Sequence, residues 1–210
     1  MNAKFAINGK QIETERLVLR PFALSDLDDF FAYASEPGVG EMAGWNHHQN
    51  KQESMEILQR FVQQDKTFAI CLKHDNKVIG SLGVEEYGLE EKLSEFFSYQ
   101  GRELGFVLSK QHWGKGLMTE AVQAVINYLF DEIHLDFLTC GYYTFNARSK
   151  RVQEKCGFKP YRKLISQTRT GTEQETILNL LTNPRKNIKL QFSHPETLIY
   201  QDCHAICYHV

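Results

Sequence analysis

Gln111-His112-Trp113-Gly114-Lys115-Gly116-Leu117-Met118-Thr119-Glu120-Ala121 is the stretch that decides how this chain reads. Before it, residues 103–108 (Glu-Leu-Gly-Phe-Val-Leu) have the composition of a strand. After it, Val122, Val125, Ile126 and Leu129 mark one face of a helix over residues 119–130. Between the two, a pair of glycines lets the backbone turn so that several N–H groups point one way. The helix adds its unpaired first-turn N–H groups and the positive end of its dipole. Lys115, between the glycines, adds a full charge. Such a loop cradles a phosphate or diphosphate, without the spacing of a P-loop or the third glycine of a dinucleotide fingerprint. On glycine spacing alone, a tight strand-to-helix turn that binds nothing is an equal reading.

Working toward the N-terminus, residues 85–101 are acidic and irregular, a loop with one short element. Residues 67–72 and 77–84 are apolar runs split by Lys73-His74-Asp75-Asn76, a hairpin. Met55, Leu58, Phe61 and Val62 give residues 52–64 a helical stripe, and residues 36–50, with Trp45, His47 and His48, read as a loop. Leu27, Phe30, Phe31 and Ala34 mark an earlier helix, with Ser25 as its N-cap and Asp28 as the capping-box acid. Residues 15–21 alternate and stop at Pro21, a first strand. Gly105, inside the strand at 103–108, marks a bulge or a close approach. Toward the C-terminus follow a strand at 137–143, a short basic helix at 147–156 stopped by Gly157, and a hairpin of 158–164 with 175–181. The order is strand, two helices, three strands, helix, strand, helix, two strands. It predicts an α+β (mixed α/β) architecture rather than a doubly wound parallel sheet.

The 210 residues suffice for one domain, and 42% hydrophobic with 24% charged residues is ordinary for a soluble protein. A net charge of -2 gives no basic field for nucleic acid. No apolar run approaches the roughly 18–20 residues that span a bilayer, so no membrane partner is expected. Cys71, Cys140, Cys156, Cys203 and Cys207 are odd in number and read as free thiols in a reducing compartment, with the cytoplasm expected. Cys203, His204, Cys207 and His209 lack a second ligand pair, so no metal is expected.

Gln-x-x-Gly-x-Gly after a strand, with Leu-Met-Thr-Glu-Ala opening the helix, resembles the acetyl-CoA pyrophosphate loop of the GNAT superfamily. Residues 13–21 (Glu-Thr-Glu-Arg-Leu-Val-Leu-Arg-Pro) resemble the first strand of RimJ/RimL-type ribosomal-protein N-terminal acetyltransferases. Residues 103–108 resemble the family's fourth strand, and residues 146–158 its fifth-strand exit and following helix. The resemblance covers residues 11–182 and leaves 183–210 as a C-terminal extension of unknown role.

The resemblance implies a mostly antiparallel twisted sheet flanked by helices, with splayed fourth and fifth strands. It implies acetyl-CoA as co-substrate, its pantetheine arm pairing with Phe106, Val107 and Leu108. Gln111, Trp113, Gly114, Lys115, Gly116 and Thr119 would hold the pyrophosphate. Asn146 would contact the pantetheine arm or position the amine. Lys110, Lys150 and Arg151 face the ribose phosphate or are simply a solvated basic face. A homodimer is admitted.

The implied reaction is attack of a neutral amine on a thioester. Deprotonating a lysine at pH 7 costs about 4–5 kcal/mol, an α-amine only about 1–1.5. A protein or peptide N-terminal α-amine is therefore the favoured acceptor, with a small-molecule amine or a non-catalytic acyl-CoA-binding module as alternatives. Glu103 is the first candidate for the base, ahead of Glu85, Glu86, His47 and His48. A backbone N–H freed by a bulge near residues 105–107 would meet the oxyanion. Many relatives place a leaving-group tyrosine seven positions after the asparagine, but here Gln153 stands there. Ser149, three after Asn146, matches the serine that takes this role in the RimJ/RimL type. Of Tyr142 and Tyr143, alternation sends only one toward the cleft.

Overall fold

The computed structural model describes residues 1–87, 96–168 and 170–188, and the backbone of 197–199. Within them lie strands β1 (Ile12–Glu13), β2 (Leu17–Pro21), β3 (Thr67–Leu72), β4 (Val78–Glu85), β5 (Gly101–Leu108), β6 (Phe137–Tyr143), β7 (Lys159–Gln167), β8 (Glu173–Thr182) and β9 (Thr197–Ile199). The helices are α1 (Leu27–Ala34), α2 (Lys51–Gln64), α3 (Leu117–Asp131) and α4 (Ala147–Lys155). One sheet runs in the order β1-β2-β3-β4-β5-β6-β8-β7-β9. Its pairs are antiparallel except β5–β6 and β7–β9. This is the mixed sheet expected from the element order. The fourth and fifth strands of the sequence reading become β5 and β6, because the two-residue β1 precedes them.

Capping chemistry places two of the helices. Asn50 accepts from the Glu53 N–H at 2.9 Å to start α2, and Asn146 accepts from the Ser149 N–H at 3.1 Å to start α4. Ser25 does not cap α1. A 3₁₀ turn over Leu24–Asp26 precedes it, and Asp26 holds the cap position. The Asp26 carboxylate accepts from the Ala23 N–H and the two terminal guanidinium nitrogens of Arg20, each at 2.8 Å. The arginine on β2 draws in the acid, which then organises the turn in place of the serine.

The sheet separates two packed layers. Leu17, Leu19, Phe68, Ile70, Leu104 and Leu138 meet Ala121, Val122, Val125 and Leu129 of α3 on one face. Ala69, Cys71 and Val107 meet Phe30, Tyr33, Ile57, Leu58 and Phe61 of α1 and α2 on the other. A fully buried aliphatic or aromatic side chain contributes about 1.5–3 kcal/mol. Burial on both faces therefore fixes which residues of β5 face which helix pair.

Both ends of the chain reach beyond residues 11–182. Ala3 and Ile7 are buried, and the Gly101 N–H donates to the Met1 carbonyl at 3.0 Å. Asn183 is buried, and its amide donates to the Leu135 carbonyl at 2.9 Å, just past the end of α3. β9 adds to the sheet edge alongside β7. Cys203, His204, Cys207 and His209 lie outside the described residues. Asn183→Ala should cost about 1–3 kcal/mol by stranding the Leu135 carbonyl. Denaturant unfolding checks this, and an unchanged midpoint would show the contact to be idle.

Candidate active site

β5 and β6 run side by side for only three residue pairs, Gly101↔Phe137, Arg102↔Leu138 and Glu103↔Thr139. Beyond them the strands part. β6 stays paired with β8 over its whole length, and β5 with β4 from Glu85↔Glu103 to Gly80↔Leu108. The Ser109 N–H donates to the Ile79 carbonyl at 2.8 Å. Backbone direction alternates in antiparallel pairing, so Gly105 and Val107 also turn N–H and C=O toward β4. Phe106 and Leu108 turn theirs toward the side from which β6 has withdrawn. No register shift interrupts β4–β5, so the bulge expected near Gly105 is absent. The parting of β6, not a bulge, turns strand N–H groups into the gap. Val107 reaches the gap with its side chain, its backbone being engaged with β4.

Two carbonyls beyond the fork are met by side chains. The Trp113 indole N–H donates to the Leu108 carbonyl at 2.7 Å. The Gln153 amide donates to the Gly141 carbonyl at 3.0 Å. A cleft of about 230 Å³ results, lined by Phe106, Val107 and Leu108 on one wall and Gly141, Tyr142 and Tyr143 on the other. Both tyrosines line it, because the cleft opens in the plane of the sheet and is reached from either face. Val39, Met42 and Ala43 of the loop between α1 and α2 form its rim.

Trp113, Gly114, Gly116 and Thr119 stand at the cleft, at the start of α3, whereas Gln111 and Lys115 are exposed and outside its lining. Gly114 and Gly116 have φ of 73° and 78°, the left-handed region that favours glycine. A Cβ at Gly114 would meet nothing within 4 Å, so the space over the loop is open. No side chain caps α3, whose N-cap is Gly116, which leaves first-turn N–H groups for water or a ligand. Behind the loop, the Arg16 guanidinium donates to the Lys115 carbonyl at 2.9 Å and to Glu120 at 2.7 Å, and Thr14 donates to Glu120 at 2.6 Å. Thr14 and Arg16 thus clamp the loop from the first-strand side. An anionic pyrophosphate fits this cradle: the backbone is open, the donors are unpaired and the rim is cationic.

Asn146 lines the cleft with both ends of its amide engaged, the oxygen by the Ser149 N–H and the nitrogen at 3.0 Å from the Met42 carbonyl. It ties α4 to the loop between α1 and α2. Ser149 lines the cleft too, and its Oγ accepts from Gln153 at 3.1 Å. Lys110 donates to the Pro37 carbonyl, and Lys150 lies 3.9 Å from Glu154. Arg151 lies 3.6 Å from Glu154 and lines the cleft. Arg148, whose guanidinium lies 4.6 Å from the Trp113 ring centroid across the cleft, and Lys155 line the cleft without a sequence-predicted role, and His112 of the glycine loop lines it too. The signal for Arg148 was its place in the first turn after Asn146.

Glu103 sits where the fork opens, buried, with the Thr139 hydroxyl donating to it at 3.2 Å. Burial pushes its carboxyl up to about 8; the Thr139 hydrogen bond opposes this and the Glu85 carboxylate adds to it. Glu85 is paired with Lys66 at 2.6 Å, and Glu86 lies 3.7 Å from Arg102. His48 is buried with its Nδ1 2.7 Å from the Ser54 hydroxyl, and His47 pairs with Glu41 at 2.7 Å. Both histidines hold the loop's shape.

The family model described as the acetyltransferase (GNAT) domain matches residues 16–159. A relative from Bacillus licheniformis, uncharacterized N-acetyltransferase p20, is 29% identical over 152 residues, covering 70% of this chain and 80% of its own length. The crystal structure of a GNAT-family acetyltransferase from Bacillus anthracis is similar at a TM-score of 0.71 and 21% identity, over 83% of this chain and 99% of that one. The structure of a putative ribosomal-protein-serine acetyltransferase from Vibrio cholerae is similar at 0.68 and 18% identity, over 87% and 99%.

The raised carboxyl of Glu103 has a stability consequence. From about pH 4.3, where an unfolded glutamate ionises, up to about 8 the folded chain keeps a proton that the unfolded chain has released. That contribution to stability is full below this window and is lost as pH rises through it. Glu103→Gln removes the loss, so the variant should gain several degrees in melting temperature over the parent at pH 8 relative to pH 4.5. A pH-independent difference would contradict the burial assigned to this carboxyl.

Proposed function

We propose that this chain, which belongs to the acetyltransferase (GNAT) family, passes an acetyl group to the N-terminal α-amine of a protein or peptide. That it is an N-acetyltransferase, and so an acyltransferase, follows from the family. The acceptor class and the residues in their roles are the proposal. The observation that carries it is the fork between β5 and β6, with the double-glycine loop and the uncapped α3 at its mouth.

Acetyl-CoA supplies the activated thioester. Gly114, Gly116 and the first-turn N–H groups of α3 hold its diphosphate, with Lys115, Arg148 and Lys155 supplying charge. Phe106 and Leu108 present backbone N–H groups to the arm and to the oxygen that becomes negative as the amine attacks. Thr119 and the side chains of Trp113 and Val107 shape the walls. Ser149 donates the proton that the leaving sulfur takes. Glu103, ionised above about pH 8, accepts the proton shed by the amine through water. The similar fold of the putative ribosomal-protein-serine acetyltransferase from Vibrio cholerae supports a protein N-terminus.

A thiol-release assay tests this reading with three acceptors: free-N-terminus peptides, N-blocked peptides carrying an internal lysine, and polyamines. Turnover confined to the first supports it, and equal or better turnover of polyamines overturns the acceptor class. Gly114→Asp places a charge against the diphosphate at a φ that aspartate tolerates. It should weaken acetyl-CoA binding about a hundredfold or more while leaving the melting temperature within a few degrees. Tight binding by this variant would remove the loop from the site.

A further inference from the structure

We propose that Gln153 is a positioning residue that aims the hydroxyl proton of Ser149 into the cleft and makes it more acidic. The inference rests on the reading of Ser149 as the donor to the leaving sulfur. Gln153 is fully buried in α4, one helical turn after Ser149, and three contacts fix its amide. The Gly141 carbonyl, 3.0 Å away, can only accept, so the atom facing it is the amide nitrogen. The Asn179 amide donates to the opposite end, Oε1, at 2.8 Å, which agrees with that orientation. One N–H of Gln153 is thereby spent on Gly141, and the other points at Ser149 Oγ, 3.1 Å away.

The consequence for Ser149 is directional. Its Oγ acts as an acceptor toward Gln153, so its own proton must point elsewhere. Among the described residues no acceptor for that proton lies within hydrogen-bond distance, and Ser149 lines the cleft. An N–H donated to Oγ also stabilises the negative charge left behind when the hydroxyl loses its proton. Ser149 gives its proton to the leaving sulfur as the carbon–sulfur bond breaks and the sulfur takes the electron pair. Its Oγ, held by Gln153, recovers a proton through water, the one that the attacking nitrogen has shed to Glu103, so that a single proton passes from nitrogen to sulfur. The donor chain thus runs from Asn179 through Gln153, in the second turn of α4, to Ser149.

The test reads the sulfur itself rather than turnover. The thiol of bound CoA is titrated by its ultraviolet thiolate absorbance, with desulfo-CoA as the blank. A free thiol titrates near about 8.5, and the parent protein should hold bound CoA at least about one pH unit lower. Ser149→Ala and Gln153→Met, which keeps length and volume without a donor, should each move the titration back up by about one unit. The double variant should go no further than Ser149→Ala alone. In turnover, Gln153→Met should lower kcat about tenfold with the acetyl-CoA KM within about twofold, the sign of an interaction made in the transition state. Should Gln153→Met fail to fold, Asn179→Ala frees the amide without removing it and should shift the titration in the same direction.

A shift with Ser149→Ala but none with Gln153→Met or Asn179→Ala overturns the positioning role and leaves Ser149 as donor. No shift with Ser149→Ala overturns both. A parent protein that binds no CoA overturns the functional reading underneath. Additive effects in the double variant would make Gln153 a structural residue only.

Discussion

A parallel pair that stops after three residues leaves strand backbone facing empty space in the middle of a sheet. Buried N–H and C=O groups without partners are costly, about 1–3 kcal/mol each, so such a gap persists only if it is satisfied in another way. Here the Leu108 and Gly141 carbonyls are met by side chains, Trp113 on the β5 wall and Gln153 on the β6 wall. The N–H groups of Phe106 and Leu108 face the gap. The Phe106 carbonyl remains as an acceptor beside these two donors, a bias toward donors that suits a ligand rich in carbonyl and phosphate oxygens. α3 carries the same bias at the mouth, where glycine replaces the asparagine that caps α2 and α4.

The surrounding elements hold this gap open. β4 and β8 engage the outer edges of β5 and β6, so neither strand can slide across without breaking a continuous ladder. Asn146 spans from α4 to the Met42 carbonyl, fixing the rim against the helix that carries Ser149. Arg16 and Thr14 fix the glycine loop through Glu120. The carboxylate of Glu120 stays charged there because, although burial works against it, the hydrogen bonds of Thr14 and Arg16 outweigh that cost. Each contact joins segments distant in sequence, so the site exists only in the assembled fold.

This explains what could be read in advance. The strand, glycine loop and helix at residues 103–130 are local, set by alternation, helical periodicity and turn chemistry, and they came out where the pattern put them. So did the hairpins and the mixed order of the sheet. β1 and β9 are two and three residues long, too short for any pattern, and are defined by the strands they pair with. The cap of α1 depended on Arg20 reaching Asp26, a tertiary contact that overrode a serine. Gly105 suggested a bulge, yet the free backbone arises from the departure of β6, which no residue of β5 encodes. Gln153 read only as a missing tyrosine, since its meaning lies in Gly141 and Asn179, residues on two other strands. The region at 88–95 and the cysteine and histidine residues of the C-terminal tail lie outside the described residues.

Amide hydrogen exchange, resolved residue by residue across β5, bears most directly on whether the fork is a donor-lined binding gap. Without ligand, Gly105 and Val107, bonded to β4, should exchange slowly, while Phe106 and Leu108 exchange faster; saturating CoA should then slow Phe106 and Leu108 and the first turn of α3 while leaving Gly105 and Val107 unchanged. Phe106 and Leu108 already protected in the free protein, or indifferent to CoA, would contradict the account.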